Sequence, residues 1–184
     1  MRAASQRHPR AGRVRLALLT VAPILMLGFA SGRIANSGEG NGWFDLLAKP
    51  ALMPPGWVFG LVWSILYVAI GIALFLIIEA PPSNGRRPAI ALFCIQLALN
   101  LAWSPVFFAL HRIMLAFGLV VAMVLWAGAA TWLFWHIRRA AALLMLPYLG
   151  WLLFAGILTW QVHRLNPQGA ALAPSVAHTQ ISIQ

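Results

Sequence analysis

Acidic side chains are almost missing from this chain: Glu39, Asp45 and Glu79 are the only three among 184 residues. None lies in the middle of an apolar run, which argues against a carboxylate-driven proton relay of the kind pumps use. Charge of either sign is scarce, at 9% of residues, where a soluble domain carries about a quarter. Water is therefore not the main solvent. A single cysteine, Cys94, rules out an intramolecular disulfide and leaves the compartment open. Phosphate loops, nucleophile motifs and cysteine pairs are absent from the sequence. His111, His136 and His163 stand at the ends of apolar runs without the i,i+4 pairing that holds a metal on one helix, so no metal site is expected. They read as interfacial residues, with an axial haem ligand as the alternative.

What the chain has instead is hydrophobic length. It is 61% hydrophobic, with a mean hydropathy of +0.82. Five runs, at about 14–35, 57–78, 89–110, 113–136 and 140–162, reach the roughly 20 residues that a helix needs to cross a bilayer. A membrane barrel would alternate in segments of about ten residues. The fold class predicted is all-α, a five-transmembrane-helix bundle in a lipid bilayer.

A net charge of +10 raises the question of nucleic acid. The position of the cations answers it: they cluster at span ends and near the N-terminus, with no basic recognition module, so no nucleic acid is expected. Arg2, Arg7, Arg10, Arg13, Arg15, Arg86, Arg87, Arg138 and Arg139 fall on one side, and Arg33, Lys49, Arg112 and Arg164 on the other. The bias predicts a cytoplasmic N-terminus and an external C-terminus. Residues 1–13 read as a basic cytoplasmic tail, with an organellar targeting peptide as the alternative. The first span is too long for a signal-peptide core and is expected to remain in the mature protein.

The spans belong to one domain, 14–166, with a flexible C-terminal tail expected over 167–184. Its one long connection, 36–56, exceeds the usual length of a structureless loop. Trp43 and Phe44 would anchor it, and Pro50, Pro54 and Pro55 would stiffen it. A folded lid is predicted, the alternative being a disordered linker. The remaining connections are short, so the bundle should wind up and down.

Helical geometry places Gln96, Asn100, Trp103 and Phe107 within roughly 60° of one another on the third span. Cys94, Ala98, Ala102 and Pro105 lie opposite. An amide in hydrocarbon needs a partner, so Gln96 and Asn100 bond a neighbouring helix, contact a ligand, or do both. The small face permits close approach, either as a homodimer seam or as an internal contact. The second span aligns Phe59, Trp63, Tyr67 and Ile70; the fifth aligns Pro147, Trp151, Ala155, Leu158 and Val162. Trp63 and Trp151 lie deep enough that each indole N–H needs a partner. Convergence of these faces beneath the lid would form an apolar small-molecule site with few polar groups.

Three stretches carry a recognisable pattern. The first is Trp43-Phe44…Leu46…Lys49-Pro50…Pro54-Pro55-Gly56-Trp57-Val58, then Trp63-x-x-Leu66-Tyr67. The second is Gln96-Leu97-Ala98-Leu99-Asn100-x-x-Trp103-Ser104-Pro105-x-Phe107-Phe108. The third is Pro147-Tyr148-Leu149-x-Trp151-x-x-Phe154-Ala155. In order and spacing they resemble the first loop and the second, third and fifth helices of the translocator protein (tryptophan-rich sensory protein) family. The resemblance runs from about residue 28 to residue 166. It implies a five-helix bundle, often dimeric through the small face of the third helix. It also implies a pocket closed by the first loop that takes porphyrins such as protoporphyrin IX or haem. On the positions that match, ligand contacts would fall on Trp43, Phe44, Trp63, Gln96, Asn100, Trp151 and Ala155. Tyr67 and Trp103 join them from the face geometry.

The resemblance further implies a sensory or regulatory role in tetrapyrrole metabolism, with no cofactor required. Light- and oxygen-dependent porphyrin breakdown through Trp63 and Trp151 is one alternative, and tetrapyrrole or lipid transport is another. Three positions depart from the pattern. Leu52 replaces a loop tryptophan, Thr159 replaces a common asparagine, and Leu158-x-Trp160-x-x-x-Arg164 lacks the tyrosine of the animal sterol motif. The last argues against a sterol partner. A multi-pass protein of a bacterial cell membrane is expected.

Overall fold

The computed structural model describes residues 10–172. Long helices form where the apolar runs lie: α1 (Arg10–Ile34), α3 (Gly56–Glu79), α4 (Arg86–Ser104), α5 (Ile113–Ile137) and α6 (Arg139–Leu165). A short α2 (Gly42–Leu46) sits within the first connection. All five long helices are long and apolar enough to cross a membrane. Among the described residues there is no strand.

In space the helices form a ring. α1 packs on α3, α3 on α6, α6 on α5 and α5 on α4, with lighter contacts from α4 to α1 and α3 closing the circuit. The α1–α3 crossing depends on glycines. A Cβ on Gly71 would stand 2.8 Å from the Val21 Cα, and one on Gly28 would overlap the Tyr67 ring. Absence of a side chain at both positions lets the two helices approach. The core runs along the ring axis through Ile70, Phe93, Met123, Phe134, Met145, Tyr148 and Leu152.

Proline shapes the end of α4. Pro105 has no N–H and its ring crowds the carbonyl four residues back. The helix responds with a π-helical turn over Pro105–Ala109, closed by the Leu110 N–H to the Pro105 carbonyl at 2.9 Å. The Leu101 carbonyl, deprived of its helical donor, accepts from Ser31 Oγ of α1 at 2.6 Å. One proline thus both opens the end of α4 into a π turn and frees the carbonyl that ties it to α1.

Residues 36–56 are folded. Asn36, Gly38 and Gly40 take positive φ (49°, 103° and 89°), turning the chain sharply. Asn41 then caps α2, its Oδ1 accepting from the Phe44 N–H at 3.0 Å. Trp43 is 2% exposed and packs on Phe107 and His111. Its Nε1–H donates to the Gly169 carbonyl at 2.7 Å. Asn166 holds the Ala48 backbone at both ends: its Oδ1 accepts from the Ala48 N–H and its Nδ2 donates to the Ala48 carbonyl, each at 2.9 Å. Glu39 closes the far side, accepting the Gly56 N–H at 3.1 Å at the start of α3.

These contacts correct the boundaries drawn from the sequence. The chain after Asn166 does not fray at once. It forms a 3₁₀ turn over Gly169–Leu172, and the Gly169 carbonyl at its start accepts from the Trp43 indole. Residues 173–184 of the expected flexible tail lie outside the described residues, as do residues 1–9 of the expected basic tail. Arg10–Arg13, assigned to that tail, are the first turn of α1, and Arg13 pairs there with Glu79 at the end of α3.

Candidate functional site

Beneath the folded connection lies a cavity of about 550 Å³, within the usual range for small-molecule sites. Four-residue spacing on α3 brings Phe59, Trp63 and Tyr67 to one wall. α6 supplies Trp151, Ala155, Leu158, Thr159 and Val162, α4 supplies Asn100 and Trp103, and the π-helical turn after it supplies Phe107. Gly28 and Gly32 of α1 leave the space open, while Phe44, Met53 and Pro54 roof it.

Aromatic rings pair along the walls. Trp63 stacks on Tyr67 with centroids 5.2 Å apart, and Trp103 on Phe107 at 5.1 Å. Trp151 meets Phe59 edge-on at 5.7 Å. Such pairs fix ring orientation beyond what area burial alone provides.

The polar groups behind the wall form one chain. Tyr67 Oη donates to Asn100 Oδ1 at 2.9 Å, and Asn100 Nδ2 donates to Tyr148 Oη at 3.3 Å. Tyr148 Oη in turn donates to Gln96 Oε1 at 2.6 Å. The network links α3, α4 and α6 through side chains rather than through a neighbour's backbone. Among the described residues, three buried side-chain donors remain without a partner: Gln96 Nε2, Trp103 Nε1 and Trp151 Nε1. Trp103 and Trp151 both line the cavity with their rings, while each Nε1–H itself is buried from solvent.

The sequence-derived residues therefore separate. Phe44, Trp63, Tyr67, Asn100, Trp103, Trp151 and Ala155 meet at the cavity. Trp43 and Gln96 do not. Trp43 is the pin that holds the roof, and Gln96 is fully buried behind the wall, bonded to Tyr148. Pro147, grouped with Trp151 by periodicity, is exposed on the outer side of α6. Cys94 and Ala98 face outward and Ala102 is half-buried, opposite Gln96 and Asn100 on α4.

Two residues outside the predicted site matter as much: Tyr148 centres the polar chain and Asn166 grips the roof. A signal for Tyr148 existed. The chain has only two tyrosines, both in mid-span, and a hydroxyl in hydrocarbon requires a partner. For Asn166, just past the last span, no local signal distinguishes a latch from an ordinary helix end.

Arg33, Glu39 and Lys49 line the mouth. Lys49 lies over the Phe44 ring, 4.8 Å from its centroid. Among the described residues, no histidine lines the cavity, and His111 is packed under Trp43 instead. Among the described residues, no three His, Cys, Asp or Glu side chains come together as a metal site would require.

Known proteins share this pattern. The TspO/MBR family matches over residues 19–165. Protein CrtK of Rhodobacter capsulatus is 37% identical over 141 residues, covering 75% of this chain and 85% of its own. The tryptophan-rich sensory protein of Cereibacter sphaeroides is 37% identical over 140 residues, 74% of this chain and 87% of its own. The translocator protein of Homo sapiens is 38% identical over 151 residues, 80% of this chain and 87% of its own. With the family pattern spanning all five membrane-crossing helices, this chain belongs to the TspO/MBR family of integral membrane proteins.

Proposed function

We propose that the roofed cavity binds a porphyrin, protoporphyrin IX before haem, and that the protein acts as a sensor in tetrapyrrole metabolism. The observation that carries this reading is the roofed, largely apolar cavity of about 550 Å³ walled by Phe59, Trp63, Trp103, Phe107 and Trp151, beside which the Trp103 and Trp151 Nε1–H donors are buried without a partner among the described residues. A flat aromatic ligand offers its faces to Trp63, Phe107 and Trp151. Its acidic substituents would sit near Arg33 and Lys49 at the mouth. The metal-free porphyrin is preferred because, among the described residues, no histidine lines the cavity to serve as an axial ligand. The test is titration of the purified protein with protoporphyrin IX, following tryptophan quenching. Saturable quenching that weakens in Trp63→Phe/Trp151→Phe is expected; its absence removes the reading.

A second reading rests on ring order. Trp63 stacks on Tyr67 and meets Tyr148 edge-on at 6.3 Å, so redox-active rings lead from the cavity wall into the core. That arrangement suits light- and oxygen-dependent porphyrin breakdown. Illumination with porphyrin and oxygen would then yield a bilin-like product above a protein-free control, and no excess product discards it.

Two assembly features complete the proposal. The outward face of Cys94, Ala98 and Ala102 suits a homodimer seam. The basic end of the bundle suits the cytoplasmic side of a bacterial cell membrane, in keeping with bacterial relatives at 37% identity.

A further inference from the structure

The end of the bundle opposite the roof contributes nothing to the cavity, and its charge is almost of one sign. The start of α1, the α3–α4 connection and the α5–α6 turn meet there. Gly85 stands against Ile137, with a Cβ there lying 3.9 Å from Ile137 Cδ1, and both Arg13 and Arg138 reach Glu79. Arg13 and Arg138 thus share one carboxylate, and Arg86, Arg87 and Arg139 lie at the starts of α4 and α6.

That carboxylate is already engaged. Glu79 pairs with Arg13 and lies 3.6 Å from Arg138 Nη1. Arg86 Nη1 donates to the Ala80 carbonyl at 2.7 Å. Arg87 and Arg139 are exposed, and among the described residues no carboxylate lies within 4.0 Å of either. Arg139 rests over the Trp135 ring, 5.5 Å from its centroid. Trp135 and Trp132 are themselves 44% and 62% exposed, one turn from the end of α5. Exposed indoles at the end of a membrane span mark the depth of lipid headgroups. α4 and α6 also begin here without side-chain caps, which adds to the positive potential.

We propose that this end is a binding site for anionic phospholipid headgroups, with Arg87 and Arg139 supplying the charge and Trp135 holding Arg139 at phosphate depth. Lipid is favoured over a soluble acidic partner because the cations are flanked by exposed indoles that belong at the boundary of hydrocarbon and phosphate. The site shares no residue with the cavity, so it stands or falls apart from porphyrin binding.

The test uses the full chain purified in neutral detergent and given equimolar phosphatidylglycerol and phosphatidylcholine, with retained lipids counted by native mass spectrometry. Phosphatidylglycerol should be retained in excess. Arg87→Gln/Arg139→Gln should lower the ratio by about fivefold per arginine at low salt, while Arg87→Lys/Arg139→Lys should keep most of it. Equal retention of both lipids by the wild type overturns the proposal, as does an unchanged ratio in the double glutamine variant. Displacement of phosphatidylglycerol by millimolar inorganic phosphate, or by an acidic peptide, assigns the site to a soluble anion and overturns it equally.

Discussion

Replacing Tyr148 with phenylalanine removes one hydroxyl and keeps the ring, so it isolates the buried polar chain from packing. That hydroxyl donates to Gln96 Oε1 at 2.6 Å and accepts from Asn100 Nδ2 at 3.3 Å. Its loss leaves Asn100 Nδ2 and Gln96 Oε1 unpaired; Asn100 keeps its Oδ1 bond to Tyr67, whereas Gln96, whose Nε2 already has no partner, would keep none. A buried polar group left unpaired costs about 1–3 kcal/mol. Interhelical hydrogen bonds within membranes average only about 0.6 kcal/mol, because the unfolded state in the bilayer also finds partners. Two groups on these scales place the expected destabilisation between about 1 and 6 kcal/mol. The assay is equilibrium unfolding in mixed micelles, read by circular dichroism. A double-mutant cycle with Gln96→Leu sharpens it: removing the stranded amide should return part of the loss, so the two changes should not add. A Tyr148→Phe variant as stable as the wild type, or strictly additive single changes, would refute the account of this network as the tie between α4 and α6. Tyr148 does not line the cavity, so porphyrin affinity should move far less than stability.

Three further outcomes follow from particular contacts. Gly71→Ala places a Cβ about where the Val21 backbone stands, 2.8 Å from its Cα; overpacking of about 1–3 kcal/mol should lower the melting temperature in detergent. Asn166→Leu removes both side-chain bonds to Ala48; hydrogen exchange at 43–49 should quicken by roughly tenfold or more, given about 1 kcal/mol per bond. Unchanged exchange there would show that Trp43 and Glu39 hold the roof without it. Ala98→Trp puts a bulky ring on the outward face of α4 and should convert a dimer to monomers in light scattering, whereas a chain that is monomeric from the start removes the seam.

Much of the site was legible because helical periodicity is local. Phe59, Trp63 and Tyr67 on α3 recur every four residues, as do Trp151 and Ala155 on α6, so each wall could be drawn before the bundle was assembled. The same rule misled at its edges. Pro147 shares the periodicity of Trp151 but lies outside the cavity, because a helix face wider than the wall it lines must turn partly toward lipid. Trp43 and Gln96 carry residue types suited to a ligand, yet both are spent on the protein itself, one on the Gly169 carbonyl and one on Tyr148. No local pattern distinguishes an indole that meets a ligand from one that holds a roof, since the deciding carbonyl lies 126 residues away in sequence.

The five spans, the short connections and the clustering of arginine at one end of the bundle followed from the sequence alone. Apolar run length and charge position are properties of the chain that the bilayer reads directly. What closes the cavity, which polar groups are satisfied within the protein and which indole donors are left over were decided only by the tertiary structure. Those outcomes depend on hydrogen bonds of about 3 Å between residues far apart in the chain, and the packing of α1, α3, α4 and α6 sets which of them can form.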